Sequence, residues 1–135
     1  AGSTSAVLDD YEEGTWTPVG VLAVAGTSST DTVVATYTKI GNLVTCNFSF
    51  RVLKGTGTGT FSMAGLPFVP AVRSVGTLQA INMGKASAVL SYYVSPSVTT
   101  IVVNYLSQST ATESFPNDTE MSSTVYIRGS VQYHV

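Results

Sequence analysis

Charge is the first thing this chain of 135 residues lacks: six basic and eight acidic side chains make up 10% of it, against about 25% in an ordinary soluble domain. Hydroxyls rather than ion pairs must therefore solvate its surface. The basic residues stand singly along the sequence, with no patch able to displace counterions from a phosphate backbone, which argues against a nucleic-acid partner. Cysteine is limited to Cys46, which leaves neither an intramolecular disulfide nor a zinc site and makes hydrophobic burial the force that holds the fold. The single histidine, His134, is the penultimate residue, a poor place for a base that must be rigidly held. No apolar run approaches the roughly 18 residues of a membrane helix, so membrane insertion is not expected, and no basic segment followed by an apolar one opens the chain.

Helical spacing is missing as well, since no stretch of the chain repeats apolar residues at i, i+3, i+4 and i+7. What recurs is period-two alternation of β-branched and aromatic residues with polar ones, broken by Gly, Pro, Asn and Ser. That pattern predicts an all-β, antiparallel β-sandwich of about eight strands around one core. The clearest strand is Leu43–Leu53 (LVTCNFSFRVL), with Val44, Cys46, Phe48, Phe50 and Val52 on one face and Thr45, Asn47, Ser49 and Arg51 on the other, as alternation requires. Gly41-Asn42 joins it to a strand over 33–40 as a tight hairpin. A second hairpin pairs 88–94 with 99–106 across Ser95-Pro96-Ser97-Val98. Strands over 60–64 and 72–83 flank a corner fixed by Pro67 and Pro70. The last strand, 123–135, puts Val125, Ile127, Val131, Tyr133 and Val135 on one face and Tyr126, Arg128, Gln132 and His134 on the other.

Several features invite a chemical reading. The acids Asp9, Asp10, Glu12 and Glu13 crowd one run, yet neighbours on an extended chain point to opposite sides and lack the looped spacing of a calcium site. The run is read as a solvated connector, with no metal and no cofactor implied. Glu113 and Glu120 form the conceivable carboxylate pair for glycoside hydrolysis, but both sit in one polar loop, 107–122, where acids ordinarily solvate. Cys46 falls on the apolar face of its strand, where a neutral thiol is expected. KGTGTGT (54–60) lacks the order of a phosphate loop and has no helix after it, and reads as a hairpin tip. No nucleophile–base pair emerges, so no catalytic residue is assigned and the chain is expected not to be an enzyme.

Four segments in order, LDDYEEGTWTP (8–18), YTKIGNLVT (37–45), GLPF (65–68) and STVYIRGSVQYHV (123–135), resemble the C-terminal domain found on tail fibres and tailspikes of tailed bacteriophages. The resemblance covers essentially the whole chain from Leu8. It implies a jelly-roll-like sandwich closing the distal end of a homotrimer on the virion, acting outside the cell. There such domains bind host polysaccharide or lipopolysaccharide or stabilise the trimer, while depolymerase activity belongs to an upstream domain. A purely structural trimerisation cap or folding domain is the alternative. Residues 1–13 are then a linker or shaft junction and 14–135 the sandwich. The opening AGSTSA, small and polar, is read as a linker end or an expression remnant.

Sparse charge and a threonine-rich surface suit a subunit that hides one flank against its neighbours and so protects its sheet edges. The candidate glycan-binding residues are Phe115, Asn117 and Asp118 of the long loop and Tyr126, Arg128 and Gln132 on the outward face of the last strand. The candidate subunit contacts are Tyr11 and Trp16, aromatics next to a shaft.

Overall fold

A computed structural model describes residues 10–83, 89–106 and 112–135. Residues 1–9 of the expected linker, Ala88 of an expected strand and 107–111 of the long loop lie outside the described residues. The described chain is all-β, without helix. Its strands are β1 (Tyr11–Thr15), β2 (Val19–Val24), β3 (Ser29–Ile40), β4 (Leu43–Leu53), β5 (Thr58–Ala64), β6 (Ser74–Ile81), β7 (Val89–Val94), β8 (Thr100–Leu106), β9 (Glu113–Ser114) and β10 (Thr124–His134). All pairings are antiparallel, in the order β1-β3-β4-β10-β6-β7-β8-β5-β2, with β9 added to β8. These ten strands exceed the eight expected because short elements such as β1 and β9 carry no core-facing alternation that a sequence pattern could reveal.

The centre of the sheet forms where alternation is strongest. Val44, Cys46, Phe48, Phe50 and Val52 of β4 are all buried, and each meets an inward neighbour or a glycine on β10: Val52 opposes Val125, Phe50 Ile127, Phe48 Gly129, Cys46 Val131 and Val44 Tyr133. A slip of one residue would carry every one of these side chains to water, so the register is set by burial. Gly41, at φ 57°, begins the β3–β4 turn while Asn42 keeps negative φ, the pattern of a two-residue type II′ hairpin. Leu78 and Ala80 of β6, Leu90, Tyr92 and Val94 of β7, Ile101 and Val103 of β8, and Phe61 and Met63 of β5 complete one apolar cluster. Among the described residues no polar or charged side chain is buried.

The ends of this sheet are joined by the chain itself. β1 lies at one end and β2 at the other, yet only Trp16, Thr17 and Pro18 separate them. The sheet is therefore curled until β2 contacts β3 and β4, and Gly20 donates its N–H to Thr30 Oγ1 at 2.9 Å across the seam. Trp16 anchors the crossing: its backbone N–H donates to Ala35 O and its indole N–H to Thr36 O, each at 3.2 Å. The ring meets Phe48 edge-on at 5.8 Å and is 7% exposed.

The first strand begins earlier than the domain boundary after Glu13 would place it, because Tyr11, Glu12 and Glu13 pair with Ile40, Lys39 and Thr38 of β3. Replacing Trp16 by Ala is expected to remove both the fill and the indole hydrogen bond, lowering unfolding free energy by about 3–5 kcal/mol. Urea denaturation followed by far-UV circular dichroism measures this, and an unchanged midpoint would show that the crossing is held by something else.

Candidate functional site

The six expected glycan-binding residues are divided by the structure. Phe115, Asn117 and Asp118 lie in a segment that folds back on β5. β8 pairs with β5 only over Ser62, Met63 and Ala64, and the vacated stretch is filled from 116–118. Phe61 donates its N–H to Pro116 O at 2.8 Å, Asp118 its N–H to Gly59 O at 3.1 Å, and Gly59 its N–H to Asp118 Oδ1 at 2.7 Å. Lys54 Nζ closes the clasp by donating to Asp118 O at 3.0 Å. Asn117 Oδ1 accepts from the Thr119 N–H at 2.9 Å, while Pro116 of the segment and Met121 after it are buried. The Pro116 carbonyl and the polar atoms of Asp118 thus repair the sheet, Asn117 closes the local turn, and Phe115 is left exposed at 40%.

Tyr126, Arg128 and Gln132 share the outward face of β10, as alternation requires. Gln132 donates to Thr45 Oγ1 at 3.2 Å. Tyr126 is half-buried beside Arg51, which pairs with Asp31 at 2.6 Å; with both partners about half exposed, that ion pair contributes little stability. Arg128 is exposed. Of the two candidate subunit contacts, Trp16 is inside this chain's own core, whereas Tyr11 is 53% exposed and donates to Glu13 at 2.7 Å. Glu12 accepts from Tyr37 OH at 2.6 Å. The β1 carboxylates are thus occupied by tyrosines, whose own ionisation is pushed up by these bonds.

A cleft lies elsewhere, on the outer face of β6, β7 and β8, with a volume of about 480 Å³. Register builds it from residues far apart in sequence. Thr77 opposes Ser91 and Ser91 opposes Asn104, giving a polar row across three strands; Val75 opposes Tyr93 in the next row. Arg73 places its guanidinium carbon 4.2 Å from the centre of the Tyr93 ring, a cation–π contact of about 0.5–1 kcal/mol at an exposed site that favours this position of the guanidinium. Glu113 of β9 accepts a hydrogen bond from Asn104 Nδ2 at the other end. Gly76 floors the cleft over buried Tyr92, whose hydroxyl would lie 2.5 Å from any added Cβ, so no side chain fits there without displacing the ring.

Glu113 and Glu120 do not face one another. Glu113 is bonded to Asn104, and Glu120 accepts from Tyr105 OH at 2.7 Å and from the Asn117 N–H at 3.2 Å. Asn104 and Tyr105 are consecutive in β8, so their side chains leave opposite faces of the sheet, and the carboxylates are not poised across a shared substrate position. Burial pushes the Cys46 thiol up from about 9 to about 12, against a smaller opposing effect of its hydrogen bond with Tyr133. Burial likewise raises Tyr133 and Tyr92. Among the described residues no three His, Cys, Asp or Glu side chains converge as metal ligands would.

The cleft residues Arg73, Thr77, Ser91, Tyr93 and Asn104 were not candidates in the sequence, and Glu113 was considered only as an acid. Their signal is the polar outward positions of 74–81, 89–94 and 100–106, which have meaning only once register is known. Models of known protein families, curated proteins and solved structures give no match to the chain.

Two expectations follow from this geometry. Asp118→Ala releases the Gly59 N–H and is expected to cost about 1.5–3 kcal/mol of stability while leaving the β6–β8 cleft intact; denaturant titration decides it, and an unchanged midpoint would remove Asp118 from the clasp. Because the folded state holds the Cys46 proton more tightly than the unfolded chain, stability is complete below about pH 9 and falls as pH rises towards 12. Thermal melts across that window should show the decline, with a shallower slope in Cys46→Ala.

Proposed function

We propose that this domain is a non-enzymatic distal tip of a tailed-bacteriophage tail fibre or tailspike, which binds host surface polysaccharide or lipopolysaccharide. The observation that carries the reading is the β6–β8 cleft, where a guanidinium set on an aromatic ring stands beside a row of hydroxyl, amide and carboxylate groups. Sugars are bound by such planar, multidentate hydrogen-bonding groups set next to apolar surface. The placement on paired strands, with a glycine floor, gives these groups fixed spacing. The ordered motif set from LDDYEEGTWTP to the last strand supports a fibre or spike as the parent, and the separation of Glu113 from Glu120 favours binding over hydrolysis.

In this reading the sheet is a jelly-roll-like sandwich, and three copies assemble on the virion. The edge strand β2 exposes Val19, Val21 and Val24, and an uncovered apolar edge is an aggregation hazard that a neighbouring subunit would remove. A purely structural trimerisation cap is the second reading, favoured by the way Asn117 and Asp118 are spent inside the fold. Analytical ultracentrifugation at micromolar concentration is expected to give three chains per particle, and labelled protein is expected to adsorb to host cells in competition with purified surface polysaccharide. A trimer that adsorbs to no cell would favour the cap, and a stable monomer without adsorption would overturn both.

A further inference from the structure

The cleft is polarised. Arg73 lies at one end over Tyr93, and Glu113 lies at the other on Asn104. Tyr93 opposes Val102, two residues before Asn104, so the two contacts are offset by about 6–7 Å along the strands, and Glu113 lies a further strand beyond Asn104, on β9. Between them the lining is uncharged: Val75, Gly76, Thr77 and Ser91.

Among the described residues, ion-pair contact is confined to Arg51 and Asp31. Arg73 therefore keeps its N–H groups for a ligand while its face is occupied by tyrosine. A planar guanidinium in that state recognises a planar anion bidentately. Glu113, with one oxygen taken by Asn104, is an acceptor for hydroxyl groups, and it would repel an anion brought to its own end.

From this we propose that the cleft takes an acidic sugar residue, a hexuronate within a surface polysaccharide, in one orientation. The sugar carboxylate pairs with Arg73, the ring spans Gly76 and Thr77, and the hydroxyls on the far side bond to Glu113, Asn104 and Ser91. The proposal rests on the glycan-binding reading above and narrows it to a ligand class and a polarity.

The test uses the whole domain and four probes: a galacturonate trisaccharide, the matching neutral galactose trisaccharide, a phosphorylated sugar and inorganic phosphate. Isothermal titration calorimetry is expected to show the uronate binding about tenfold or more tightly than its neutral counterpart, as one charge-assisted pair predicts. Arg73→Gln should erase that preference, and Arg73→Lys should restore part of it. Glu113→Gln should weaken the uronate and the neutral sugar by a similar factor. Arg73 and Glu113 are exposed, and circular dichroism confirms that the variants remain folded. Equal affinity for the neutral sugar, a preference that survives Arg73→Gln, tighter binding of either phosphate probe, or no binding of any probe would each overturn the proposal. If cell adsorption persisted with Arg73→Gln, the tip function would stand and this ligand assignment would fall.

Discussion

Everything in this molecule depends on a constraint of chain length. β1 and β2 are the two ends of the sheet, and Trp16, Thr17 and Pro18 are all the backbone available to pass between them. A residue spans at most about 3.6 Å, so the sheet has to bend until β2 comes against β3 and β4. Bending gives it an inside, and the alternating residues of β4 and β10 fill that inside. Trp16 holds the bend by tying the crossing to Ala35 and Thr36 and packing on Phe48. The cleft follows from the same bend, because it lies on the outward side of strands whose inward side is fully committed to the core.

Two kinds of glue divide the work. Inside, the contacts are almost wholly apolar, and the buried thiol and phenol groups of Cys46 and Tyr133 stay protonated because of it. Outside, tyrosine–carboxylate bonds, threonine hydroxyls and an exposed ion pair serve where other proteins use charge. The clasp of 116–118 on β5 shows a third use of polar groups: Asp118 completes a ladder that β8 leaves unfinished, so a loop acid works as backbone would.

The sequence made the middle of the fold legible and its margins obscure, for physical reasons. The strand 43–53 could be read because burial on one face leaves a period of two, and Gly41-Asn42 could be read because its turn demands particular residues. β1 (YEEGT) has no inward apolar face to betray it, and β2 (VGVLAV) shows valines outward on an edge. The tryptophan stood out as an anchor, but whether an aromatic meets its own core or a neighbour depends on where Phe48 and β3 end up. The cleft was invisible for a stricter reason: Arg73, Ser91, Asn104 and Glu113 are bland singly, and only the pairing of β6, β7, β8 and β9 sets them in one place. Asp118 was legible as a notable loop acid, although its partner, the Gly59 N–H, was not.

The seam between β2 and β3 gives the sheet a direction of weakness. Elsewhere neighbouring strands are joined by ladders of backbone bonds, while here Thr30 Oγ1 accepts the Gly20 N–H from across the gap. A force pulling the chain from its N-terminal side meets β1 first, then the Trp16 crossing, and then this seam. The sheet would open there like a clasped band, with the β4–β10 ladder still closed. Because Trp16 and Leu22 belong to the core cluster, opening this seam would also draw on the core.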